Sequence, residues 1–108
     1  LGDRTKDVII SGGFNIYATD LEIVLLDHEA VHEAAVIGIP SQQWGETPLA
    51  LVVLEDADDV DAETLRRWAN QRLGKGQRIA ELELREKLPK SDIGKVLKRE
   101  LRTPYWDE

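Results

Sequence analysis

Three observations on the 108-residue sequence predict an α+β fold. Two apolar runs, Val31 to Ile39 and Pro48 to Glu55, are separated only by a short loop, which points to an antiparallel strand pair. Two other segments repeat apolar residues at helical spacing, each preceded by a residue able to cap a helix. Near the start, Ser11-Gly12-Gly13 divides two short β-prone runs. The expected architecture is a three-stranded sheet with helices packed on it, plus a separate N-terminal two-stranded hairpin.

The elements follow in chain order. Asp7 to Ile10 and Phe14 to Tyr17 form the hairpin, with the glycines supplying its turn. Thr19-Asp20-Leu21-Glu22 fits a capping box, in which Glu22 reaches back to the start of a helix running to about Asp27. Val31 to Ile39 is nearly continuous in apolar, often β-branched residues, so it reads as a buried strand ended by Pro40. Ser41 to Thr47 is a loop, and Pro48 to Glu55 the second strand. Asp61 caps a second helix to about Leu73, with Val60 against Leu65 as a hydrophobic staple. Its inner face is Leu65, Trp68, Ala69 and Leu73, and Gly74 and Gly76 stop it. Glu81 to Glu86 alternates and reads as the third strand. Gly94 opens a short last helix with Val96, Leu97 and Leu101 on its apolar side.

Composition limits the functions available. One domain is expected at this length, and 42% hydrophobic residues allow a modest core. The net charge of -7 argues against non-specific nucleic-acid binding, which needs a broad basic surface. No apolar run approaches a membrane span and no signal peptide is visible, so the expected setting is cytoplasmic. Without cysteine there is no thiolate or disulfide chemistry. Without methionine the chain reads as a piece of a longer protein. Against this acidic background, Lys87 to Arg102 carries six Lys/Arg and two Asp/Glu. A lysine beside the Gly94 turn is well placed to meet an anion.

Several motifs compete for function. His28-Glu29-Ala30-Val31-His32 matches the zinc-peptidase pattern, which requires both histidines on one face of a continuous helix. The pattern turns strand-like at Val31, so two partly exposed histidines at a helix-strand junction are expected, and no metal site. Gly94-Lys95 fails the phosphate-loop pattern, because Pro89 and Val96 stand where Gly and Ser/Thr are required. Ser11-Gly12-Gly13 is either a ligand-lining backbone or simply a hairpin turn. Arg4 and Lys6 are either anion contacts or solvated charges.

The ordered combination carries more than its parts. Gly2-Asp3-Arg4-Thr5-Lys6-Asp7-Val8-Ile9 with Gly13, Asn15-Ile16-Tyr17 and Leu21-Glu22 resembles the carboxy-terminal signature of the adenylate-forming superfamily. Val31 to Pro40, Trp44-Gly45-Glu46-Thr47-Pro48, and Leu88-Pro89-Lys90 with Gly94-Lys95-Val96-Leu97-Lys98-Arg99 resemble its following segments, in order and across nearly the whole chain. That superfamily includes acyl-CoA synthetases, peptide-synthetase adenylation domains and luciferases.

The resemblance implies the mobile C-terminal domain of an enzyme whose large N-terminal domain is absent here. Such an enzyme turns a carboxylic acid into an acyl-adenylate with ATP and Mg2+, then passes the acyl group to a thiol such as that of CoA. By resemblance Lys95 is the adenylation lysine, Lys6 the hinge on which the domain swings, and Arg4 a nucleotide contact. Gly13 would line the pantetheine tunnel and Asn15 would assist it. Within the superfamily an acyl-CoA synthetase is expected, acting on fatty or related acids, with the isolated domain inactive. The alternatives are a peptide-synthetase-type or luciferase-like domain, a non-catalytic binding module, and, last, a zinc hydrolase. Three departures stand out: Ala18 where proline is common, Gly76-Gln77-Arg78 in place of a Tyr-Lys stretch, and Lys98 where arginine is frequent. Lys87, Lys98 and Arg102 read as solvated charge.

Overall fold

The computed structural model describes residues 7–56 and 59–106. In chain order these form β1 (Val8–Ser11), β2 (Phe14–Tyr17), α1 (Ala18–Leu26), β3 (Val31–Ser41), β4 (Gly45–Leu54), α2 (Ala62–Asn70), β5 (Glu81–Arg85) and α3 (Lys98–Trp106). The fold is α+β, as the sequence predicts. Among the described residues no helix is long and apolar enough to cross a membrane.

The sheet is larger than expected. It has five strands rather than three plus a detached hairpin. β3 and β4 pair antiparallel from Val31↔Leu54 to Ser41↔Gly45. The opposite edge of β4 takes two partners. β5 runs parallel to it from Leu49↔Glu81 to Val53↔Arg85. The β1–β2 hairpin joins through the Ser11↔Gly45 bridge, reinforced by Gly12 N–H donating to the Trp44 carbonyl at 2.9 Å. The detached-hairpin expectation failed because β4 begins at Gly45, not Pro48, and these extra residues reach β1. Gly45 makes that start with φ +84, a left-handed angle costly for a side-chain-bearing residue.

Pro40 does not end β3. It lies in register with Glu46, and the strand continues to Ser41. Residues of one parity point their backbone groups the same way along an antiparallel strand. Val36 N–H and the Gly38 carbonyl, four and two residues before Pro40, are met by side chains rather than by β4: Val36 donates to Glu22 Oε2 at 2.9 Å, and Gly38 accepts from Trp106 Nε1 at 2.8 Å. The missing N–H of Pro40 therefore faces away from β4, where no ladder bond is lost.

Both faces of the β3–β4 pair are buried along its centre, which is why Ala34 to Ile39 and Pro48 to Leu54 are apolar. Val31, Val36, Ala50 and Val52 pack under α1 and α2 with Leu21, Leu25, Leu65, Ala69 and Ile79. Ala35, Ile37, Ile39, Leu49, Leu51 and Val53 form a second core with Leu88 and with Leu101 of α3. The inner face of α2 is as predicted: Leu65 and Ala69 are buried, and Val60, Trp68 and Leu73 are packed against the same core. The helix ends at Asn70 rather than near Leu73, four residues before Gly74. Buried Asn70 donates from Nδ2 to the Ile79 carbonyl at 3.0 Å and accepts from Ile79 N–H at 2.8 Å.

Two local expectations are corrected. The capping box of α1 does not form; the helix begins at Ala18 with no side-chain cap, because the Glu22 carboxylate is spent on β3. The last helix begins at Lys98, not at Gly94, because the residues between them close a separate turn.

Candidate functional site

Lys95 sits at the end of a cross-braced turn between β5 and α3. Lys90 and Val96 form a bridge at its base, and Leu97 N–H donates to the Pro89 carbonyl at 2.9 Å. Inside it, Ser91 N–H donates to the Lys95 carbonyl at 2.8 Å, Gly94 N–H to the Ser91 carbonyl at 2.9 Å, and Lys95 N–H to Ser91 Oγ at 3.2 Å. Gly94 has φ +86, which suits the reversal to glycine. The Lys90 ammonium pairs with Glu33 of β3 at 2.7 Å and fixes the base of the turn to the sheet. Lys95 itself is exposed, and neighbouring Ile93 is 87% exposed at the tip. A rigid backbone thus presents one ammonium and one bare apolar side chain.

Gly12 and Gly13 form the hairpin turn, with φ +57 and +89, the paired positive angles of a type I′ turn. They differ in surroundings. A Cβ on Gly12 would lie 2.5 Å from Trp44 Cε3, whereas nothing stands within 4 Å of one on Gly13. Asn15 is exposed on β2, opposite Ile10. Beside the turn lies a cleft of about 270 Å³ whose lining includes Phe14, Trp44, Lys75 and Arg78. Aromatic faces and cations side by side suit a flat, acidic ligand. Lys95 and Gly13 stand on different loops, and the structure does not unite them in one pocket. Arg4 and Lys6 lie outside the described residues.

One correction concerns Lys98, which is not solvated background. Its side chain is 16% exposed, and Nζ lies 2.6 Å from Glu22 Oε2 and 2.9 Å from Asp7 Oδ2. Asp7 directly follows Lys6 in sequence. Sequence reasoning missed this group because its members are far apart in the chain and Glu22 has a plausible local role as a capping residue. Near it, Asp7, Glu46, Arg99 and Arg102 line a hollow of about 470 Å³.

The histidines of the zinc-like pattern separate. His28 lies in the turn after α1, accepts the Ala30 N–H at Nδ1 (3.0 Å) and meets Trp68 edge-on with centroids 4.6 Å apart. His32 is on β3, with Glu55 at 3.5 Å. Two residues on different elements cannot share a helix face as that zinc chemistry requires. Among the described residues, no group of three or more His, Cys, Asp or Glu could hold a metal ion. Elsewhere, burial and the Glu83 carboxylate, 3.0 Å away, push the Tyr105 hydroxyl above its ordinary pKa.

Comparison with known proteins fits this geometry. A profile of the AMP-binding enzyme C-terminal domain matches residues 20–95, ending on Lys95 itself. The chain belongs to that family. It is 43% identical over 101 residues to a long-chain-fatty-acid–CoA ligase of Bacillus subtilis, a match covering 94% of this chain and 18% of the relative. It is 41% identical over 103 residues to a feruloyl-CoA synthase of an Amycolatopsis species, covering 95% and 21%. Among solved structures, a fatty acyl CoA synthetase of Mycobacterium tuberculosis superposes with TM-score 0.85 at 36% identity, over 93% of this chain and 20% of that one. An acyl-CoA synthetase of Brucella canis gives 0.87 at 34%, over 94% and 19%. The chain therefore spans about a fifth of the length of these relatives.

Proposed function

We propose that this chain is the mobile carboxy-terminal domain of an AMP-forming acyl-CoA synthetase, working against a large N-terminal domain of the same enzyme in the cytoplasm. The observation that carries the reading is Lys95: one exposed ammonium on a cross-braced turn, at the last position matched by the family profile. In the first half-reaction a carboxylate oxygen attacks the α-phosphorus of ATP, the bond to the β-phosphate oxygen breaks, and pyrophosphate leaves. Negative charge gathers between carboxylate and α-phosphate. A fixed ammonium there stabilises that charge most when the large domain closes over it and excludes water. Exposed Ile93 supports such a closure, because it gives the tip an apolar group for the large domain to cover.

In the second half-reaction the CoA thiol attacks the acyl carbonyl, AMP departs with the bonding pair, and the thiol proton is released. Gly13 has open space where a side chain would stand, which suits a narrow pantetheine arm, with Asn15 as a polar neighbour. The Phe14–Trp44 cleft with Lys75 and Arg78 suits the acidic nucleotide end of CoA. Rotation about Lys6 would bring first Lys95 and then Gly13 to the same acyl group, with Arg4 touching the nucleotide. Mg2+ would arrive with ATP as the substrate complex; the described residues offer it no cluster of ligands.

In the intact enzyme, Lys95→Ala is expected to lower carboxylate-dependent pyrophosphate exchange by about 100-fold or more. Thioester formation from pre-made acyl-adenylate stays within about threefold. Equal loss of both steps would remove the role given to Lys95.

A further inference from the structure

We propose that Lys98 is a positioning residue that ties the Lys95 turn to the hinge side of the domain, so that rotation begun near Lys6 is delivered to the Lys95 ammonium. The inference rests on the functional reading above and adds a residue to it. Three segments meet at this one ammonium, and a fourth joins through Glu22. Its Nζ contacts Asp7 and Glu22 at 2.9 and 2.6 Å. Glu22 Oε2 also accepts the Val36 N–H at 2.9 Å, which anchors the group to β3. The Asp7 carbonyl accepts the Ala18 N–H at 3.0 Å, which locks the residue after the hinge to the start of α1.

Lys95 is only three residues before Lys98, and little slack separates them. The Lys90↔Val96 bridge and the bond from Leu97 N–H to Pro89 close that span. Movement of Asp7 is therefore passed through one ammonium to a braced turn rather than through a flexible loop. Two carboxylates sharing one largely buried cation form a group whose members depend on one another. Such groups define geometry more reliably than they add stability. The hairpin needs no such link, because Gly13 reaches Asp7 along β1. A loss at Lys98 should therefore fall on adenylation and spare thioester formation.

The test uses intact enzyme carrying Lys98→Met or Lys98→Arg. Lys98→Met is expected to cut the kcat of carboxylate-dependent pyrophosphate exchange by at least about tenfold, with the KM for ATP held within about twofold. Thioester formation from pre-made acyl-adenylate should change by less than about threefold, and arginine should restore exchange to within about threefold of wild type. Amide hydrogen exchange on the same proteins should quicken about fivefold or more at residues 91–96 and 8–11 together, with β3 and β4 unchanged. If Lys98→Met does not fold, Asp7→Asn removes one arm of the group and should act in the same direction.

Wild-type pyrophosphate exchange in a folded Lys98→Met enzyme would overturn the proposal. So would equal loss of both half-reactions, or unchanged hydrogen exchange at residues 91–96. An intact wild-type enzyme that exchanged no pyrophosphate with any carboxylic acid would instead refute the ligase reading. Hydrogen exchange alone would then decide whether Lys98 couples the two segments.

Discussion

Alanine at position 13 and alanine at position 12 change one atom each on the same turn, yet the structure predicts different outcomes. Both glycines hold positive φ, and an alanine held in the left-handed region costs about 1–2 kcal/mol. At Gly13 that is the whole penalty, because nothing lies within 4 Å of the new methyl. At Gly12 the methyl would sit 2.5 Å from the Trp44 ring. Relieving that overlap adds about 1–3 kcal/mol, so the total is roughly 2–5 kcal/mol. At roughly 4 °C per kcal/mol for a domain of this size, Gly13→Ala should lower Tm by about 4–8 °C and Gly12→Ala by about 8–20 °C. Thermal unfolding of the 108-residue chain followed by circular dichroism measures both. In the intact enzyme the order should reverse for the thiol step. Gly13→Ala should lower kcat/KM for CoA by about tenfold or more, equivalent to about 1.4 kcal/mol, while pyrophosphate exchange stays within about twofold. A Gly13→Ala enzyme with the expected loss of Tm and normal CoA turnover would refute the tunnel assignment. Equal Tm losses for the two variants would refute the packing of Trp44 on the turn.

Asn70→Ala removes the only side-chain acceptor of the Ile79 N–H and leaves its carbonyl with Arg66 Nη1 alone, at 3.3 Å, so it should cost about 1–3 kcal/mol by urea denaturation; a loss below about 1 kcal/mol would contradict that pairing. Tyr105 should ionise above the ordinary tyrosine value of 10.0, seen as the difference in 295 nm absorbance titrations between wild type and Tyr105→Phe. Because the folded pKa is raised, the hydroxyl's contribution to stability is complete below the unfolded value and fades as pH rises through the folded one. A wild-type stability curve identical to that of Tyr105→Phe across that alkaline window would count against the Glu83 contact.

Much of the architecture was legible because local pattern and burial agree. The centres of β3 and β4, Ala34 to Ile39 and Pro48 to Leu54, are apolar because both of their faces are covered, and α2 shows its inner face because its other side is wet. The glycine turn was legible because type I′ geometry demands positive φ. What could not be read depends on partners distant in sequence. Glu22 looks like a capping residue until β3 and Lys98 claim its carboxylate. Pro40 looks like a strand end unless the side its nitrogen faces is known. The hairpin looks detached unless Gly45 is seen to reach Ser11. Lys95 and Gly13 were singled out through ordered family signatures, since a lysine beside a glycine and a glycine pair each have ordinary explanations. Lys98 carried no local sign at all, because its two carboxylates lie at positions 7 and 22.

The side chains that meet the outer backbone of β3 have another effect. An open strand offers rows of N–H and C=O groups onto which a second copy can add, the first step of sheet-by-sheet aggregation. Here Glu22 occupies the Val36 N–H, Trp106 occupies the Gly38 carbonyl, and Pro40 offers no donor at all. The rotation proposed for this domain would periodically uncover its flanks to a crowded solution. With these positions taken, such exposure gives a neighbouring chain little to template on.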